Sequence, residues 1–173
     1  MTASDVQASA LFLETARRSL VEQHWPKIKE CVASLGEEQV WWRPNEASNS
    51  IGNLLMHLNG NIGQWLVASF ERREDLRDRP QEFNARGAAT AAELLARLGA
   101  TVDEAGRVLA RLTLEELLAT YEIQGYTVTG LYAVFHAVEH FALHYGQIAY
   151  ISKSLSGRDL GFHRELEKTG RAR

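Results

Sequence analysis

Three histidines, His136, His140 and His144, recur four residues apart in the stretch Phe135-His-Ala-Val-Glu-His-Phe-Ala-Leu-His-Tyr-Gly-Gln-Ile148. At 3.6 residues per turn each step of four advances the position by only ~40°, so on a helix the three imidazoles form one stripe. Gln147 falls on the same stripe. Leu131, Val134, Phe135, Val138, Phe141, Ala142, Ile148 and Ile151 stand around it, so most of this helix is expected to be buried. The chain has six histidines, and half of them lie in this nine-residue window. Adjacent buried imidazoles lose hydration with nothing to replace it unless something pairs them. A helical core does not need such a row; a metal ion does.

The rest of the chain also reads as helices. From Asp5 to about Leu35, Leu11, Leu13, Leu20, Val21, Ile28, Val32 and Leu35 have amphipathic helical spacing. Pro26 interrupts that helix by removing a backbone donor, and Gly36 supplies its stop. A short helical turn is expected between Glu37 and Asn45, followed by a polar connection in which Asn49 or Ser50 caps the next helix. That helix runs from about Ile51 to Phe70, with Leu54, Leu55, Leu58, Ile62, Trp65 and Leu66 as its apolar face. His57 borders this face, Asn61 lies one turn on, and Gln64 is within reach.

The charged run from Glu71 to Glu82 reads as a solvated surface loop, with a charged lid as the functional alternative. Thr90-Ala-Ala-Glu93 is a capping box opening a third helix, which Leu94 to Leu112 continue. Thr113-Leu-Glu-Glu116 repeats the signature. Ala119 to Thr127, rich in β-branched and aromatic residues, is expected to be extended. The histidine helix then spans about Val128 to Leu155, ended by Gly157. The tail is polar apart from Leu160, Phe162 and Leu166, and is expected to pack once over the helices. No repeat or linker divides the chain, so residues 1–173 are expected to form a single all-α domain, a four-helix bundle with long connections.

Several classes of function are disfavoured. A net charge of −3 gives no electrostatic basis for binding nucleic acid or an anionic membrane. No apolar run approaches the ~20 residues of a membrane span, and the N-terminus lacks a signal-peptide pattern. The single cysteine, Cys31, cannot form an internal disulfide, and in an amphipathic helix it reads as a small buried residue rather than a nucleophile. A cytoplasmic location is expected. Phosphate loops, Gly-x-Ser-x-Gly elbows and His-Glu-x-x-His motifs are absent from the sequence. Gly60 and Gly63 are expected to permit close helix approach, and Trp41 and Trp42 to serve packing.

Helical bundles build metal sites from inward-facing side chains on neighbouring helices. His140 and His144, at i and i+4, can present two nitrogens to one ion. A third ligand must come from another helix, and His57 is the best candidate; His24 and His163 are weaker. His136, a further turn back, suits an outer-shell or cavity role, as do Asn61 and Gln147. Glu139 lies about 60° off the stripe and suits an orienting or surface role. Three protein nitrogens with an open position is the arrangement of catalytic rather than structural zinc sites.

Ser48-Asn-Ser-Ile-Gly-Asn-Leu-Leu-Met-His-Leu-Asn-Gly-Asn-Ile-Gly-Gln-Trp65, His136 to Ile148, and Asp159-Leu-Gly-Phe162 together resemble the DinB/YfiT superfamily of metal-dependent enzymes. The likeness extends from about Trp41 to Phe162, and the histidine helix is its specific part. The resemblance implies a four-helix bundle, commonly dimeric, that binds a divalent ion, often nickel or zinc, through three histidines. Carried over by position, these are His57, His140 and His144; His136 is not among them. Some relatives are transferases or isomerases that use low-molecular-weight thiols such as mycothiol, bacillithiol or glutathione. The resemblance therefore implies a small-molecule enzyme, a thiol-dependent S-transferase or a hydrolase. The competing expectations are a non-catalytic metal-binding or stress-response protein, and a dimerisation module without metal.

Overall fold

The computed structural model describes residues 2–162. The first helical rod consists of α1 (Ala3–Arg17), a run of wider π-type turns over Arg18–His24, and α2 (Trp25–Ala33). Pro26 sits in the first turn of α2, where a missing N–H is tolerated, so the interruption becomes a change of helical pitch just ahead of it. A single short turn, α3 (Glu37–Val40), follows.

The second rod starts with α4 (Ile51–Ile62). Ser50 caps it: the Ser50 hydroxyl accepts from the Asn53 amide at 3.1 Å, and Asn53 Oδ1 accepts from the Ser50 amide at 3.1 Å. Both residues are buried, so the reciprocal bonds satisfy groups that water cannot reach. The rod continues through π-type turns over Gly63–Ala68 into α5 (Ser69–Glu71), where Arg72 adopts a left-handed φ of 53° and ends it.

A short helix, α6 (Arg79–Asn84), precedes the third rod, α7 (Ala91–Arg111), which Thr90 and Glu93 open with the expected capping box. Thr113 and Glu116 do the same for α8 (Leu114–Leu118). The stretch expected to be extended is an antiparallel hairpin, β1 (Thr120–Ile123) and β2 (Tyr126–Thr129), pairing Thr120 with Thr129. Its turn residues, Gln124 and Gly125, both have positive φ, the backbone that matches strand twist in tight hairpins. The fourth rod, α9 (Gly130–Ser156), is capped by Thr129 and stopped by Gly157 at φ 64°. It begins after Val128 because that residue is spent on β2.

The α4 rod lies against α7, α9 and α6, while α9 also packs on α2, and α1 on α7. Leu20, Ile28, Leu54, Leu58, Ile62, Leu66, Leu98, Leu109 and Phe141 are buried between the rods. Of the tail, Leu160 is buried and Phe162 packs against the core; Leu166 and His163 lie outside the described residues. Among the described residues no helix is long and apolar enough to cross a membrane.

Two sequence expectations fail in the packing. The charged run from Glu71 to Glu82 is not uniformly a solvated loop: it leads into α6, and the Arg77 and Glu82 side chains are only 4% and 7% exposed. Burial is tolerated because the two charges neutralise one another and find further hydrogen bonds. The histidine helix is less buried than its apolar content suggests. Leu131, Tyr132, Phe135, Leu143 and Tyr150 are exposed, because α9 has partners on only part of its circumference.

Candidate metal centre

The packing of α4 against α9 brings His57 together with His140 and His144. One ring nitrogen from each lies within 4.8 Å of the others. His57 is buried, and the other two are half-buried. The rings meet edge to face: His57 and His144 at a centroid distance of 4.9 Å, His140 and His144 at 4.4 Å. His136 is outside this cluster, packed on Trp65 at 4.0 Å and stacked on His140 at 5.4 Å.

The outward nitrogens of two of these histidines are occupied. His57 Nδ1 is 2.8 Å from Glu82 Oε2, and His144 Nδ1 is 2.8 Å from Gln147 Oε1. Arg77 reaches Glu82 twice, from Nε to Oε1 at 2.7 Å and from Nη2 to Oε2 at 2.9 Å. Burial pushes the Glu82 carboxyl up, but hydrogen bonds from Arg77 and His57 outweigh it and hold the group below the usual carboxylate range. Two groups face His57 Nδ1: Glu82 Oε2 at 2.8 Å, which as an ionised carboxylate can only accept, and Arg77 Nη2 at 3.1 Å, which can only donate but already binds Oε2 at 2.9 Å. The shorter contact favours a proton on Nδ1 given to Glu82, and in the neutral ring that leaves the lone pair on Nε2, which faces His140. A metal-binding imidazole whose other N–H is given to a carboxylate is a recurrent arrangement, because it sets both tautomer and ring orientation.

His57 Nε2 and His140 Nε2 are 2.7 Å apart. This is hydrogen-bond spacing, tighter than the ~3.3 Å between nitrogens that share a tetrahedral ion at ~2.0–2.1 Å. An outward shift of roughly half an ångström and removal of the proton between them turn the pair into two ligands. The widest separation in the cluster, up to 4.8 Å, has to close by a side-chain movement, and with these two adjustments the donor set fits a divalent ion.

The electrostatics favour neutral rings. Burial, and then the neighbouring His144, His57, His136 and Arg77, push His140 down to about 3. Burial lowers His144 as well, with Gln147 opposing and His57 adding to the effect. His136 is lowered mainly by burial, against an upward pull from Glu139. Near pH 7 these imidazoles keep the lone pairs that coordination requires.

Other candidates fall elsewhere. Asn61 is buried, and among the described residues its Oδ1 has no hydrogen-bond partner. His24 is remote from the cluster in its contacts, stacked on Tyr145 at 5.4 Å. Glu139 is exposed. Cys31 is buried, and burial pushes its thiol up to about 11, which leaves it poorly nucleophilic. Trp41 packs over Gly52 and donates to the Ala89 carbonyl, whereas Trp42 is 43% exposed.

Sequence reasoning missed Arg77 and Glu82. Their only signal was indirect: Asn53, His57, Gly60 and Gln64 form a polar or small-residue stripe beside the apolar face of the helix. The space Gly60 leaves admits α6, as expected of it, and in particular that helix's carboxylate: a Cβ there would meet Glu82 Oε1 at 1.9 Å.

The chain belongs to the DinB superfamily, whose family model matches residues 20–148. Together, family membership and the three-histidine cluster fit a metal-binding protein of the DinB type. Its fold is similar to that of a DinB-like protein from Bacillus cereus ATCC 10987, with a TM-score of 0.62 and 11% identity, covering 80% of this chain and 89% of that one. It is similar also to a conserved protein from Enterococcus faecalis, with a TM-score of 0.63 and 18% identity, over 91% of this chain and 99% of that one. No curated protein matches the chain.

Proposed function

We propose that the chain is a metal-dependent enzyme in which His57, His140 and His144 hold one divalent ion, nickel or zinc. The reaction we assign is attack by a low-molecular-weight thiol, or by water, on a small electrophilic substrate, giving an S-transferase or a hydrolase. The observation that carries this reading is the convergence of three ring nitrogens within 4.8 Å, contributed by two packed helices. When bound, such an ion lowers the pKa of a coordinated thiol or water and so supplies a nucleophile near neutral pH. His140 and His144 supply neutral donors, and the incomplete burial of this α9 pair leaves a side open to a small molecule. Gln147 orients His144.

Gln147 also lines a groove of about 880 Å³ with Trp42, Leu54, Leu143, Tyr150 and Ile151. That volume suits a small molecule, and its apolar walls suit one with an apolar body. His136 and Asn61 are proposed to contact substrate or bound water. The alternative, a non-catalytic metal-binding or stress-response protein, requires a coordination shell closed by a fourth protein ligand.

The test is metal analysis of the untagged protein, followed by a screen of thiols against electrophiles. One equivalent of nickel or zinc with a coordinated water, and thiol-dependent turnover, are the expected results. Stoichiometric metal retained in the His140→Ala/His144→Ala double variant overturns the ligand assignment.

A further inference from the structure

We propose that Glu82, clamped by Arg77, is the positioning residue of the metal centre: it fixes the ring of His57 and keeps the proton on Nδ1, so that Nε2 faces the other two histidines. The purpose of this device rests on the metal-centre reading above; its geometry does not.

The device is written into α4 as one stripe. Asn53, His57, Gly60 and Gln64 are spaced by four, three and four residues, which places them on one side of the helical rod. Each of them meets the segment that runs from Asp75 to Ala85. Asn53 Nδ2 donates to the carbonyls of Glu82 at 2.9 Å and Ala85 at 3.0 Å, which fastens the backbone at Glu82 and just after it. His57 Nδ1 meets Glu82 Oε2 at 2.8 Å, closer than Arg77 Nη2 at 3.1 Å, so the carboxylate rather than the guanidinium is its nearer partner. Gly60 provides room, since a Cβ would lie 1.9 Å from Glu82 Oε1 and 2.8 Å from Arg77 Nε. Gln64 Oε1 accepts from Arg77 Nη1 at 2.8 Å, and Gln64 Nε2 donates to Asp75.

Energetics separate a positioning role from simple anchoring. A buried ion pair is a poor source of stability, because the desolvation of two charges consumes most of their attraction. An apolar pair of similar volume would join the segment to α4 as well. What an apolar pair cannot do is tell the two nitrogens of an imidazole apart. The carboxylate can, because it accepts only an N–H, and the two-pronged Arg77 contact leaves it one orientation. Arg77 also cancels its charge, so the three histidines see an oriented acceptor rather than a net anion. Coordination then begins from a ring already turned to its ligand position, with Nε2 made a better donor by the partly shared proton on Nδ1. A mobile His57 would have to lose its rotational freedom and select a tautomer on binding.

The experiment uses the full chain and three readouts. Nitrogen-15 NMR of the metal-free protein reports which nitrogen of His57 carries the proton. Chelator competition gives the zinc affinity, and urea unfolding gives the stability. Wild type is expected to show the Nδ1–H tautomer of His57. Glu82→Gln is expected to mix the tautomers and to weaken zinc binding by roughly 10–100-fold. Glu82→Asp, which keeps the charge, is expected to recover part of that loss. Gly60→Ala, which displaces the carboxylate without removing it, should weaken zinc binding in the same direction.

An Nε2–H tautomer in wild-type protein overturns the proposal, and this measurement does not depend on any variant folding. Unchanged zinc affinity in Glu82→Gln, with only its urea stability reduced, overturns it too and makes Glu82 an anchor. Wild-type protein that binds no zinc, cobalt or nickel defeats the metal-centre reading instead, while the tautomer measurement still decides whether Glu82 positions His57.

Discussion

His57 is set apart from the other histidines by what lies behind it. Its buried ring has a fixed acceptor at Nδ1, whereas His140 and His144 lie on a half-exposed helix face. Replacing ligands should therefore have graded effects. Alanine at His57, His140 or His144 is expected to reduce metal content sharply from about one ion per chain, and alanine at His136 to reduce it less, as measured by elemental analysis after gel filtration. A His136→Ala variant as depleted as His140→Ala would place the ion one turn nearer the start of α9.

The pH dependence follows from His140. Its folded value of about 3 lies below the ordinary 6.5, so between these values the unfolded chain binds the extra proton. The stability that His140 contributes is complete above about 6.5 and is lost progressively as pH falls from there towards 3. The metal-free protein should melt at a lower temperature at pH 5 than at pH 7, and His140→Gln should show a smaller drop. Added metal should raise the melting temperature more at pH 7 than at pH 5, because protons compete for the same lone pairs. Equal gains at both pH values, with saturation incomplete at each, would mean that histidines are not the ligands that matter.

At the scale of the element, α4 does two jobs at once. Leu54, Leu55, Leu58 and Ile62 bury its apolar face, while Asn53, His57, Gly60 and Gln64 receive the Arg77–Glu82 pair. Its start depends on the buried Ser50–Asn53 exchange of hydrogen bonds. Ser50→Ala should cost ~1 kcal/mol and lower the melting temperature by roughly 2–4 °C. Asn53→Ala should cost more, because it also leaves the buried carbonyl of Glu82 without that donor. Calorimetry on the two variants checks this order.

At the scale of the molecule, the outward side of α9 is the main uncovered apolar surface of the fourth rod. Its first turns, with Leu131, Tyr132 and Phe135 at 45%, 48% and 51% exposed, lie outside the groove assigned to substrate. We propose that a second copy of the chain covers these turns, forming a homodimer that leaves the buried His57–Glu82 pair untouched. Light scattering at micromolar concentration is expected to give the mass of two chains, and Leu131→Ser/Phe135→Ser to shift it towards one. A monomer at every concentration rejects the dimer.

The helices were legible because their signals are local: apolar spacing, the capping boxes at Thr90 and Thr113, the stop at Gly157, and the four-residue interval of His140 and His144. These depend on neighbours within a turn or two, so one dimension is enough to read them. The same locality made the all-α class and the histidine stripe recoverable from sequence. His57 could be proposed as the third ligand, but only the packing of α4 on α9 decides that its Nε2 comes within 2.7 Å of His140. Arg77 and Glu82 were out of reach for a stronger reason. In sequence they are two charges in a charged run, and charges are ordinarily hydrated. Only the tertiary structure supplies the groups that make their burial affordable: Gln64 and His57 as hydrogen-bond partners, Asn53 to fasten the backbone, and the missing side chain of Gly60 to leave them room.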